Sequence, residues 1–113
     1  MEKKVQLGWL FEFYGPLLTE HRREVMRLYC EEDLSLAEIA AEMGITRQGV
    51  HDAVSKSQAQ LEGYEQKLGL IDRYQRLMHT VETCKTSLRN VQPTAGTEAQ
   101  LNEALRLLDQ MEP

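Results

Sequence analysis

Apolar residues recur at spacings of three and four along almost the whole chain. No stretch alternates apolar and polar residues between turn signals, as a half-buried strand would. The expected class is therefore all-α. A first helix is predicted from about Lys4 to Tyr14, with Leu7, Leu10, Phe11 and Tyr14 on one face. Gly15-Pro16 ends it, because proline disfavours a helical residue before it. Thr19 is placed to cap a second helix that turns Val25, Met26, Leu28 and Tyr29 inward and stops near Glu31-Glu32-Asp33. Ser35-Leu36-Ala37-Glu38 has the form of a capping box, opening a short third helix that ends at Gly44.

Thr46 is a suitable N-cap for a fourth helix, which meets no breaker before Gly63 and Gly69. Leu61, Tyr64, Leu68 and Ile71 keep the same rhythm across Gly69, and a glycine inside a helix costs only about 1 kcal/mol relative to alanine. Two readings follow, either separate fourth and fifth helices or one bent rod. The stripe Ile71, Tyr74, Met78, Val81 and Leu88, on a helix reaching about Asn90, serves as core or as a dimer seam. Gln92-Pro93-Thr94-Ala95-Gly96 is a linker by composition. Thr97 is expected to cap a last helix with Leu101, Ala104, Leu105, Leu108 and Met111 on one face. Trp9, Phe11, Phe13 and Tyr14 occupy more than one face of the first helix, which predicts packing against the C-terminal helices or a second subunit.

A length of 113 residues suits one compact domain spanning 1–113. Within it, residues 19–56 are expected to form a trihelical core, and residues 57–111 to pack on the first helix or to dimerise. The net charge is −5, and residues 1–68 carry 8 Lys and Arg against 12 Asp and Glu. Such a balance excludes a protein that coats nucleic acid regardless of sequence, since that mode needs many cations on phosphates. No apolar run approaches the roughly 20 residues that cross a bilayer, so no membrane insertion is expected. Met1-Glu2-Lys3-Lys4 leads into a mixed segment unlike an export signal. A reducing cytoplasm is the expected compartment, with Cys30 and Cys84 as thiols.

The informative stretch runs from Leu36 to Val54. Two helices meeting at a tight corner need a small residue where their backbones approach, which Ala40 supplies, and a permissive residue at the turn, which Gly44 supplies. Ile39, Met43, Ile45, Val50 and Ala53 fall where the interior of a helix-turn-helix must be apolar. The helix beginning at Thr46 is then the recognition helix, whose N-terminal residues face base edges in the major groove of double-stranded DNA. Arg47, Gln48 and His51 are the candidate readers, because arginine bonds two guanine acceptors and glutamine pairs with an adenine edge. Lys56, further along, suits a phosphate. The same four residues would also serve as an ordinary solvated helix face.

The corner segment resembles region four of bacterial sigma factors, a winged-helix-like arrangement without the wing. Over about residues 5–70 the chain resembles the YlxM family more closely. The match runs through Leu10-Phe11-Glu12-Phe13-Tyr14-Gly15-Pro16-Leu17-Leu18-Thr19, Leu28-Tyr29, Asp33-Leu34-Ser35-Leu36, Glu38-Ile39-Ala40, Thr46-Arg47-Gln48, Val50, Asp52 and Tyr64-Glu65-Gln66-Lys67-Leu68. This resemblance implies a DNA-binding regulatory protein acting in or on the signal recognition particle pathway. The alternative it implies is an accessory protein that binds signal recognition particle RNA or its GTPase through the same surface. Where the family tends to place a small helix former and an aromatic, this chain has Gly49 and His51, and the basic pair near the end of the recognition helix is thinned to Ser55-Lys56. Weak binding by a monomer is the expectation, and a homodimer offering two recognition helices would strengthen it.

Other chemistries find little support. His21, His51 and His79 lie on different helices without partners at ligand spacing, so no metal site is expected. The sequence contains no glycine-rich phosphate loop and no recognisable nucleophile motif, so neither a cofactor nor enzymatic activity is expected. The acidic run Glu31-Glu32-Asp33 reads as a docking patch for a basic partner or as a solvated loop.

Overall fold

A computed structural model describes residues 2–111 and divides them into two compact units, with the division falling after Ile71. The fold is all-α, with six α-helices among the described residues: α1 (Lys3–Tyr14), α2 (Glu20–Cys30), α3 (Leu36–Met43), α4 (Arg47–Leu68), α5 (Leu70–Arg89) and α6 (Glu98–Asp109). No helix among the described residues is long and apolar enough to cross a membrane.

In the first unit, α1 buries Leu7, Leu10, Phe11 and Tyr14, the face its sequence spacing indicates. A short 3-10 turn over Gly15–Leu17, with Pro16 inside it, separates α1 from α2. The Thr19 hydroxyl caps α2 by accepting from the Arg22 N–H at 3.4 Å. Two clusters make up the interior. One gathers the buried face of α1 with Leu18, Met26, Leu61 and Ile71; the other gathers Val25, Leu28, Ile39, Val50 and Ala53. Because α4 contributes Val50 and Ala53 to one cluster and Leu61 to the other, this helix of 22 residues joins the two. The aromatics of α1 associate closely with one another: Trp9 stacks on Phe13 with ring centroids 6.0 Å apart, and Tyr14 meets Tyr64 of α4 at 5.9 Å. Offset and tilted pairs at these separations satisfy the quadrupoles of the rings while burying apolar area.

Gly69 resolves the open question at the end of α4. It adopts φ 61°, ψ 27°, so the helix stops at Leu68 and α5 starts afresh at Leu70. Tyr14 and Glu65 fasten this break. The Tyr14 hydroxyl donates to Glu65 Oε1 at 2.5 Å and accepts from the Leu70 N–H at 3.1 Å, while the same carboxylate oxygen accepts from the Ile71 N–H at 3.0 Å. Two N–H groups at the start of α5, which have no partner within a helix, thereby find acceptors on α1 and α4. A three-four rhythm carries no information about such side-chain capture, which is why the apolar spacing runs through the break unaltered.

In the second unit, α5 continues the stripe Tyr74, Met78, Val81 and Leu88, of which Val81 is buried. Lys85 occupies the next place on that stripe and is also buried, at 5% exposed. Its ammonium lies 2.6 Å from Asp109 Oδ1 on α6 and 3.8 Å from Glu82 Oε2, so the aliphatic stem lies in the interior while the charge is paired. On α6, Leu101, Ala104, Leu105 and Leu108 are half-buried. Two expectations for this region are corrected. Thr97 does not cap α6 through its side chain: it sits in a helical conformation with φ −120°, ψ −7°, and its hydroxyl turns back to accept from the Thr94 N–H at 3.0 Å. Met111 lies beyond Asp109, the last residue of α6, and is 48% exposed.

Candidate nucleic-acid interface

The corner between α3 and α4 is built from the backbone outward. Ser35 and Glu38 form the reciprocal capping box, with the Glu38 N–H bonded to Ser35 Oγ at 3.1 Å and the Ser35 N–H to Glu38 Oε1 at 3.0 Å. At the far end of α3, Gly44 takes the left-handed angles φ 68°, ψ 34°. A Cβ there would meet nothing within 4 Å, so the backbone angle, and not crowding, calls for glycine. The Ile45 N–H then reaches back to the Ala40 carbonyl at 3.1 Å. Thr46 opens α4 by accepting the Gly49 N–H on its hydroxyl at 2.9 Å. A side chain at position 49 would place its Cβ 3.1 Å from that oxygen, so Gly49 leaves the cap uncrowded. Beneath the corner, Ile39, Val50 and Ala53 are buried, with Ala40, Met43 and Ile45 packed around them.

Burial of Val50, Ala53 and Ser57 fixes the rotation of α4 about its axis. With about 100° per residue, the opposite face is centred on Gln48 and Ser55, flanked by His51 and Asp52, with Arg47 and Lys56 at its two edges. All six are exposed. The four residues selected from sequence chemistry, Arg47, Gln48, His51 and Lys56, thus share one solvent-facing surface of the helix that follows the corner. Residue chemistry alone passes over Ser55 and Asp52; the helical phase of α4 is the signal that finds them. Asp52 changes the electrostatics of the surface. Gln48 Nε2 donates to Asp52 Oδ1 at 3.0 Å across one turn, and His51 Nδ1 lies 3.6 Å from the same oxygen. Two of the candidate readers are therefore gathered around one carboxylate.

The acidic run after α2 is largely neutralised within its own unit. Arg27 holds Glu24 at 2.8 Å and Glu32 at 3.2 Å, and Lys4 pairs with Asp33 while standing 5.0 Å from the centre of the Tyr29 ring. His21, His51 and His79 are exposed on α2, α4 and α5. Among the described residues, no three His, Cys, Asp or Glu side chains gather as a metal ion would require.

Comparison with known proteins agrees with this architecture. Residues 1–103 match the model of the UPF0122 family, described as "Putative helix-turn-helix protein, YlxM / p13 like". A UPF0122 protein of Symbiobacterium thermophilum is 40% identical over 99 residues, covering 88% of this chain and 92% of the relative. A second, from Geobacillus kaustophilus, is 37% identical over 112 residues and 99% of each chain. A third, from Bacillus mycoides, is 38% identical over 109 residues, 96% of this chain and 99% of the relative. With its left-handed corner at Gly44 and its apolar positions beneath, the chain belongs to the UPF0122 family of helix-turn-helix proteins.

Proposed function

We propose that this chain is a cytoplasmic regulatory protein that binds double-stranded DNA through the exposed face of α4. The observation that carries the reading is the common exposure of Arg47, Gln48, His51 and Lys56 on the helix directly after the corner. Gln48 and His51, near the middle of the face, suit base edges, while Arg47 and Lys56, at its margins, suit flanking phosphates or a guanine within reach of the arginine. Affinity is low for one copy, since only two cations frame the surface and Asp52 opposes them. A homodimer that sets two such helices about 34–36 Å apart would read two half-sites together. Leu107, 50% exposed on α6, and the half-buried stripe beside it supply apolar surface for that association.

Fluorescence anisotropy with labelled duplex DNA at low and moderate salt tests the reading. Arg47→Ala combined with Lys56→Ala is expected to weaken binding several-fold and to flatten the salt dependence, each lost phosphate contact removing about 0.9 from the slope. Unchanged affinity and slope would remove both residues from the interface. The acidic balance of residues 1–68 favours a second reading, in which the same face engages the signal recognition particle through its RNA or its GTPase. Recovery of that GTPase on immobilised protein after nuclease treatment, with no duplex binding by anisotropy, is the outcome that would select it.

A further inference from the structure

We propose that Asp52 is a specificity-determining residue of the α4 surface, selecting cytosine by accepting a hydrogen bond from its N4 amino group in the major groove. This rests on the duplex-DNA reading above.

The carboxylate is 56% exposed and lies on the same face as Gln48, His51 and Ser55. Its Oδ1 is held by the Gln48 amide at 3.0 Å, with His51 Nδ1 at 3.6 Å, while Oδ2 has no partner among the described residues. The group is therefore oriented from one side and open on the other. An ionised carboxylate only accepts hydrogen bonds. Phosphate oxygens, guanine O6 and N7 and thymine O4 are also acceptors, so each of them repels it. Donors in the major groove are the exocyclic amines of cytosine and adenine. Adenine sets its N7 acceptor beside the amine, which opposes a second carboxylate oxygen, whereas cytosine presents the amine without that neighbour. The charge that makes the surface poor at gripping phosphate thus makes it selective for one base.

Because Gln48 already fixes the carboxylate, little rotamer freedom is lost when it meets a base. The glutamine keeps its carbonyl oxygen and its second N–H, the donor and acceptor pair that an adenine edge takes. Gln48 and Asp52 accordingly act as a couple reading neighbouring positions.

Selection from a duplex pool with about ten randomised central base pairs tests the proposal with the full chain, Asp52→Ala, Asp52→Asn and Asp52→Glu. The wild-type pool is expected to enrich cytosine at one position of each half-site. Asp52→Ala loses that preference, Asp52→Asn moves it to adenine, and Asp52→Glu retains it. On the selected duplex, replacing that cytosine by thymine weakens wild-type binding about tenfold and leaves Asp52→Ala binding nearly level. Far-UV circular dichroism checks that each variant is folded. If the wild-type chain binds and selects duplex DNA, but Asp52→Ala and Asp52→Asn enrich the same base at every position, this inference is overturned and the duplex reading stands. If the wild-type chain binds no duplex in the pool, both fall.

Discussion

The Tyr14 hydroxyl lies 2.5 Å from Glu65 Oε1, and between them these two side chains accept the first N–H groups of α5. Tyr14 is 1% exposed, and burial, followed by its bond to Glu65, raises the phenol above its ordinary ionisation range. It stays a donor at any working pH. Tyr14→Phe keeps the ring in the α1 cluster but strips a partner from both Glu65 and the Leu70 N–H. A loss of about 1–3 kcal/mol is expected, measured by urea denaturation followed through the single tryptophan, Trp9, which packs on the same cluster. An unchanged midpoint would show that the Tyr14–Glu65 bond contributes nothing to stability.

Gly44 and Gly63 make a controlled pair. A Cβ at either meets nothing within 4 Å, but Gly44 has φ 68° while Gly63 lies inside α4. Gly44→Ala is expected to destabilise by about 1–2 kcal/mol through the left-handed backbone alone. Gly63→Ala should stabilise by up to about 1 kcal/mol through helix propensity. Equal and same-signed shifts in melting temperature would contradict the assignment of the corner.

Ser57 is fully buried on α4, and its hydroxyl oxygen has no hydrogen-bond partner among the described residues. Alanine retains the small volume and removes an unsatisfied polar atom. Ser57→Ala is expected to raise stability by about 1 kcal/mol, read as a higher urea midpoint at constant slope. A fall would mean that the hydroxyl makes a bond in solution.

The capping box makes the corner sensitive to acid. The Ser35 N–H, and next the Ser35 hydroxyl, hold the Glu38 carboxyl below its ordinary value. A lowered value in the folded state means that the contribution is complete above the ordinary carboxylate range and is lost as pH falls through the lowered value. Thermal melts between neutral and acidic pH should therefore show a smaller acid-induced loss for Glu38→Gln than for the wild type. Superimposable acid limbs would rule out a role for this carboxylate.

The two thiols should separate kinetically. Burial pushes Cys30 up to about 11, and it packs against the α1 cluster, whereas Cys84 is exposed on α5. Labelling with a thiol reagent at neutral pH is expected to modify one site per chain quickly, at Cys84, and Cys30 only slowly, with the slow phase speeding up as pH rises toward 11. Two equally fast phases in the wild type, each abolished by one Cys→Ala substitution, would refute the burial of Cys30.

Local signals in the amino-acid order determined the helices and the corner. Caps such as Thr19, Ser35 and Thr46 act within one turn, and Gly44 answers to a backbone angle, so each is written in neighbouring residues. The buried face of α1 and the apolar residues beneath the corner follow from helical periodicity for the same reason. Tertiary structure alone decided what depends on residues remote in the chain. Glu65 looks like one more surface acid until Tyr14, from α1, arrives beside it, and Gly69 looks tolerable within a rod until those two side chains capture the start of α5. Lys85 breaks its apolar stripe until Asp109 neutralises it. At the candidate site, the residue types and the one-turn spacing of Gln48 and Asp52 were legible, but the exposure of that face followed from the rotation of α4, which its packing into two separate clusters sets.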